Sequence, residues 1–249
     1  MTRQFDAEQV EWLTERLGLG EQPLAMFYTD ERPRGGYTPA PDRWSCIFAG
    51  LRKVRKNGGA AFFDAEHCGC GGGAYFMGFA ERGPKQHYFV STGIPGEMEG
   101  ERYIKSPEVA LKFFDAFSPP PAPARYCVFR RLSDLGEDER AEVVIFFAPP
   151  DVMAGLVMLT SFASERPDAV HSPMSSGCGS IISWARREAQ AEAPRAVLGG
   201  FDPSARPFIE EGLLTIAIPA RLFQQMVKDA PESFLIAPAW QKIRGRIGQ

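Results

Sequence analysis

Apolar residues recur at helical spacing over residues 7–17, where Val10, Leu13 and Leu17 share one side and Gly18 and Gly20 close the stretch. Residues 23–28 form a short unbroken apolar run and predict a strand, ended by a polar, turn-rich stretch that reaches Pro41. Helical spacing returns over 44–55 with a basic outer side and stops at Asn57-Gly58-Gly59. Residues 60–63 predict a second strand, and 74–80 a short apolar helix beyond a glycine-rich loop. A brief strand is expected over 88–90. Ser106-Pro107-Glu108 is a helix start with proline at the first helical position, and that helix extends through Phe117.

The pattern then repeats its strand–helix order. Residues 126–132 and 142–147 predict strands, the second buried on both faces, and Pro149-Pro150 separates it from a buried helix over 151–162. A second small-residue loop, Ser175-Ser176-Gly177-Cys178-Gly179, precedes a helix over 180–190 that carries Trp184. A strand over 195–198, a helical turn within 203–211, a strand over 213–218 and a helix over 219–227 follow. The expected fold is α+β: two similar strand–helix lobes, residues 1–117 and 125–249, joined by the proline-rich linker 118–124, with an order that admits an internal duplication.

Composition narrows the function classes. The 249 residues are 44% hydrophobic, enough for a full core, and a net charge of −3 with both signs interspersed offers no field to recruit nucleic acid or an anionic membrane. The basic run Arg52-Lys53-Val54-Arg55-Lys56 reads first as the wet side of a helix. No signal peptide or membrane-spanning stretch is visible, so a cytoplasmic address is expected, with the five cysteines as reduced thiols or ligands.

Four of those cysteines carry the candidate chemistry. Cys68 and Cys70 lie in His67-Cys68-Gly69-Cys70-Gly71-Gly72-Gly73, Cys46 opens the helix over 44–55, and Cys178 lies in the second loop. Glycine gives a thiol nothing to pack against. It does let backbone approach a bulky inorganic group and leaves N–H groups free to bond its sulfurs. Cys46, Cys68, Cys70 and Cys178 are therefore candidate metal ligands. Gly69, Gly71, Gly72, Gly73, Gly177 and Gly179 are candidate cofactor-binding backbone. An iron–sulfur cluster of the 4Fe–4S type is the leading expectation, because four thiolates usually close one.

Zinc held by Cys68, Cys70, Cys178 and His67 or His171 is the alternative cofactor, although C-x-C strains a mononuclear site. Thiol–disulfide exchange at Cys68–Cys70 and a phosphate-bearing ligand on Gly71-Gly72-Gly73 are further alternatives, the second without a recognised phosphate motif. Cys127, inside the strand pattern Tyr126-Cys127-Val128-Phe129, reads as a core thiol. No G-x-S-x-G nucleophile motif occurs.

Cys46, Cys68-Gly69-Cys70-Gly71-Gly72, Gly78-Phe79 and Gly177-Cys178-Gly179, taken in order, resemble the domain of unknown function 169 family of bacteria and archaea. The resemblance extends from Pro23 to about Lys228. It implies that Cys46, one of Cys68 and Cys70, and Cys178 are the positions to watch. The family has no assigned activity. The expected function is a cytoplasmic cluster-binding protein with a redox role in electron transfer, sensing or small-molecule catalysis, its partner a small molecule or a redox protein. A zinc-stabilised regulatory module and a metal-free ligand-binding protein are the alternatives.

Overall fold

The run Val143–Ala148 contains no polar residue and is buried at all six positions, as a strand covered on both faces must be. In the computed structural model, which describes residues 4–41 and 43–247, it is the middle strand of a seven-stranded sheet. In chain order the strands are β1 (Leu24–Thr29), β2 (Ala60–Phe63), the hairpin strands β3 (Gly93–Ile94) and β4 (Met98–Glu99), β5 (Tyr126–Arg131), β6 (Val143–Ala148), β7 (Val170–His171), β8 (Ala196–Gly199) and β9 (Leu214–Pro219). The large sheet runs β2-β5-β1-β6-β9-β8-β7. Its neighbours are antiparallel except for the parallel pair β7–β8.

Alternation along the strands sends side chains to the two faces of the sheet, with a smaller cluster of Phe27, Ala60, Phe62, Tyr126 and Val128 at the β2 end. One face meets α1 (Ala7–Leu17), α6 (Pro150–Ser161), α8 (Ala220–Asp229) and α9 (Pro238–Arg244), where Leu13, Phe146, Leu156, Phe223 and Trp240 pack together. The other meets α2 (Ile47–Asn57), α3 (Gly71–Phe76), a π-helix (Gly179–Trp184) and α7 (Ala185–Ala189), around Phe48, Leu51, Phe63, Phe129 and Ile181. The turn α4 (Gln86–Phe89), the β3–β4 hairpin and α5 (Pro107–Asp115) pack on one another outside this second layer.

The α+β class follows the sequence expectation, and the sheet adds how the two halves are joined. Strand β5 inserts between β1 and β2, so residues 1–117 and 125–249 share one sheet. The proline stretch lies against the turn after α3: Ala122 N donates to Gly78 O at 3.0 Å. Strand order matches outward from the central pair (β1-β5-β2 and β6-β9-β8), but α2 and α6 cover opposite faces. A two-fold exchanging antiparallel neighbours would keep the faces, so the two sides of the sheet match in strand order and not in layering, and the match assigns β5 to the side of β1 and β2.

The strand expected over 88–90 is instead the end of α4. Its amides bond back along the chain, Phe89 N to Lys85 O at 3.0 Å and Val90 N to Gln86 O at 3.0 Å, and no strand flanks them. The helix expected over 74–80 starts earlier, at Gly71, because Cys70 caps it, and it ends before Gly78, whose φ of 80° breaks the right-handed turn. Among the described residues no helix is long and apolar enough to cross a membrane.

Candidate cofactor site

Three of the four predicted thiols meet in the wall of one cavity of about 1110 Å³: Cys46, Cys70 and Cys178. They come from three separated segments, and each is placed by its own local device. Cys46 is the N-cap of α2, with extended backbone (φ −70°, ψ 138°) and no side-chain cap bond. At the other end of that helix the buried Arg55 fixes it. Its guanidinium lies between Glu21 and Glu210, donating to Glu210 Oε2 at 2.8 Å, and sits 3.9 Å from the Phe147 ring centroid.

Cys70 caps α3, its sulfur accepting from Gly73 N at 3.1 Å. The loop before it is shaped by Asp64, whose Oδ1 accepts from Glu66 N at 2.9 Å and His67 N at 2.8 Å. Gly69 has φ of 78°, and a Cβ there would collide with the Ser45 carbonyl oxygen. Ser45 N in turn donates to Gly69 O at 3.0 Å. Glycine at this position is thus what presses the Cys70 loop against the chain entering Cys46.

Cys178 leads into the π-helix, a rare form that is found mostly as single turns at functional sites. Its sulfur lies 3.2 Å from Ser176 Oγ. Asp202 ties the loop down: one carboxylate oxygen accepts from Gly177 N at 3.1 Å, the other from Ser204 N at 3.0 Å and Ser204 Oγ at 2.8 Å. Ser183 Oγ donates to Phe76 O at 2.6 Å and links the π-helix to α3.

The remaining predicted residues divide clearly. Gly71, Gly72 and Gly73 line the cavity, whereas Gly69, Gly177 and Gly179 do not. The last two are packing glycines: a Cβ on Gly177 would sit 2.8 Å from the Phe48 ring, and one on Gly179 would sit 2.9 Å from the Phe76 ring. Cys68 is buried in the core beneath the cavity, in the same cluster as Cys127. His67 pairs with Asp64, and His171 lies 3.4 Å from Glu188; neither lines the cavity. Among the described residues no three His, Cys, Asp or Glu side chains lie close enough to hold a single metal ion.

Gly71 and Gly72 differ from the other four candidate glycines. A Cβ on either would meet nothing within 4 Å, so the chain's own packing does not require glycine there. Each lies in the first turn of α3, where glycine still costs conformational entropy relative to alanine. Open backbone facing a cavity, kept at that cost, is what a bulky group needs to come close to N–H groups.

A family model described as Uncharacterised ArCR, DUF169, matches residues 12–229, from within α1 to the last residue of α8. The chain belongs to the DUF169 family. No curated protein and no solved structure matches it. The matched segment contains all nine strands and every thiol, so the cavity belongs to the part of the chain that defines it as a DUF169 protein.

Burial dominates the electrostatics of the cavity thiols in this DUF169 protein. Burial pushes Cys46 up to about 11, with nearby Cys70 adding to the rise and the amides of Phe48 and Ala49 opposing it. Burial also raises Cys70, against N–H bonds from Gly73 and Gly72, and raises Cys178, where Cys70 and Cys46 add further. No cation is among the causes of these three shifts, and the amides at the two helix N-termini lower Cys46 and Cys70 without offsetting burial. Burial thus favours the neutral thiols, and a bound metal cation would favour the thiolates.

The same burial predicts alkaline sensitivity of the metal-free protein. Cys46 at about 11 and Cys68 at about 12 lie above the ordinary value of 9.0, so the fold favours the protonated thiols. That stabilisation is complete below pH 9 and is lost as pH rises through 11 to 12. The urea midpoint is expected to fall between pH 8 and pH 10.5, less steeply in Cys68→Ala. A flat midpoint in both proteins would contradict it.

Proposed function

We propose that this DUF169 protein is an iron–sulfur protein with a redox role, holding a cluster of the 4Fe–4S type through Cys46, Cys70 and Cys178. The observation that carries the reading is the meeting of these three thiols in one cavity wall beside Gly71 and Gly72, whose backbone the rest of the chain leaves open. The cluster would supply one-electron transfer and Lewis acidity. The chain supplies three sulfurs and an N–H donor from Gly73 to the Cys70 sulfur, a bond that favours its thiolate.

The cavity wall offers three thiols and no histidine, a donor set that a cluster can use. Among the described residues no three candidate ligands lie close enough to hold a single metal ion, so a lone zinc ion would need these side chains to move. Three cysteines would leave one of a cluster's usual four positions without a thiol. A small molecule in the cavity, or a redox partner docking at its mouth, is the expected partner.

Iron and acid-labile sulfide assays on protein purified and reconstituted without oxygen test the reading, with Gly72→Ala as the informative variant. The variant should be more stable by about 0.5–1 kcal/mol when metal-free, because alanine suits a helix better. It should nevertheless retain less iron than the natural chain. Unchanged iron together with unchanged stability would remove the argument from the open glycines, and wild-type protein that takes up neither iron nor sulfide would remove the cluster.

A further inference from the structure

The cavity is larger than three thiols need, and much of its wall is aromatic: eleven of its 31 lining residues are Phe, Tyr or Trp. Phe117 and Trp184 stack there with ring centroids 4.0 Å apart and planes 12° from parallel. Trp44, Phe89, Met174 and Phe201 also line it, yet stay 40–67% exposed. Apolar side chains gathered in water at a cavity mouth mark a place where something is bound.

Charge is scarce. Two lining residues carry it, Arg102 and Asp202. Both carboxylate oxygens of Asp202 are already engaged by Gly177 and Ser204. Arg102 has only a 3.6 Å approach to the exposed Glu99. Among the described residues Arg102 is also the one non-glycine with positive φ, at 58°. That conformation is disfavoured for a residue with a side chain, and such outliers gather at ligand clamps. It is held by bonds to α4 and the residues after it: Glu101 N to Phe89 O at 2.7 Å, Arg102 N to Ser91 O at 2.9 Å and Ile104 N to Val90 O at 2.9 Å.

We infer that the cavity binds a planar aromatic molecule bearing one anionic group, with its rings in the aromatic wall near Phe117 and Trp184 and its anion at the Arg102 guanidinium. A guanidinium offers forked donors suited to a carboxylate or sulfonate. The inference goes beyond the cluster and stands apart from it, since Arg102, Phe117 and Trp184 supply no sulfur.

The test is a fluorescence titration of the full chain, with and without reconstitution, using two dyes of one frame: anilinonaphthalene sulfonate and the uncharged N-phenylnaphthylamine. One equivalent of the sulfonate should saturate the protein and quench tryptophan emission. Trp44→Phe combined with Trp184→Phe should lessen that quenching, because these two tryptophans line the cavity while Trp12 and Trp240 belong to the core on the opposite sheet face. Arg102→Gln should weaken the sulfonate about tenfold, as loss of a charge-assisted bond does, and leave the neutral dye unchanged. Arg102→Gly, which relieves the left-handed backbone, should match it; Arg102→Lys, which keeps the charge but loses the fork, should weaken the sulfonate less.

Non-saturable binding, equal weakening of both dyes, or quenching undiminished in the double tryptophan variant would overturn the inference. Iron uptake without dye binding would sink this inference alone, and dye binding without iron uptake would sink the cluster alone.

Discussion

Cys70→Ser is expected to cost the protein its iron. Cys46→Ser and Cys178→Ser should do the same, while Cys68→Ser and Cys127→Ser keep their full content. The division follows from placement: the first three sulfurs line the cavity, and the last two belong to the buried core under it. Loss of a group that merely orients a metal ligand costs 10–100-fold in affinity, so loss of a ligand should cost about a hundredfold or more. Iron per chain after anaerobic reconstitution and desalting reads the difference directly. Equal retention by all five variants would show that the cavity thiols are not ligands. Loss in Cys68→Ser but not Cys70→Ser would exchange their roles.

Gly69→Ala should be the most damaging of the loop substitutions, by about 2–3 kcal/mol. A φ of 78° is strained for any side-chain-bearing residue. The added Cβ also meets the Ser45 carbonyl oxygen, which is backbone and has no rotamer to escape into. Relief requires the Cys70 loop to move off the chain entering Cys46, so iron retention should fall together with the urea midpoint. Gly71→Ala and Gly72→Ala, two and three residues on, should act in the opposite sense on stability. A Gly69→Ala protein as stable as the natural chain would show that the loop contact is dispensable.

How far the sequence reaches can be seen at these same residues. The strand β6, the helix start at Cys46 and the helix following Cys178 are local patterns, and the structure has them where the periodicity predicts. Insertion of β5 between β1 and β2 is a pairing between distant segments and leaves no local trace. The placement of Cys68 and Cys70 is equally illegible. Two thiols flanking a glycine in left-handed conformation can point either way, and only the packing puts Cys68 in the core and Cys70 in the cavity wall.

The aromatic wall was missed for a different reason. Phe113, Phe114 and Phe117 sit at helical spacing, as core residues do, and the cavity they line is made by packing between elements. Arg102 had no signal at all, because a positive φ at arginine is imposed by the bonds around it.

Native mass spectrometry of the anaerobically reconstituted chain, measured beside Cys70→Ser, tests the central claim most directly. The account predicts a mass increment of an iron–sulfide cluster on the natural chain and its loss from the variant. A bare chain mass, a single zinc ion, or a cluster carried equally by both proteins would contradict it.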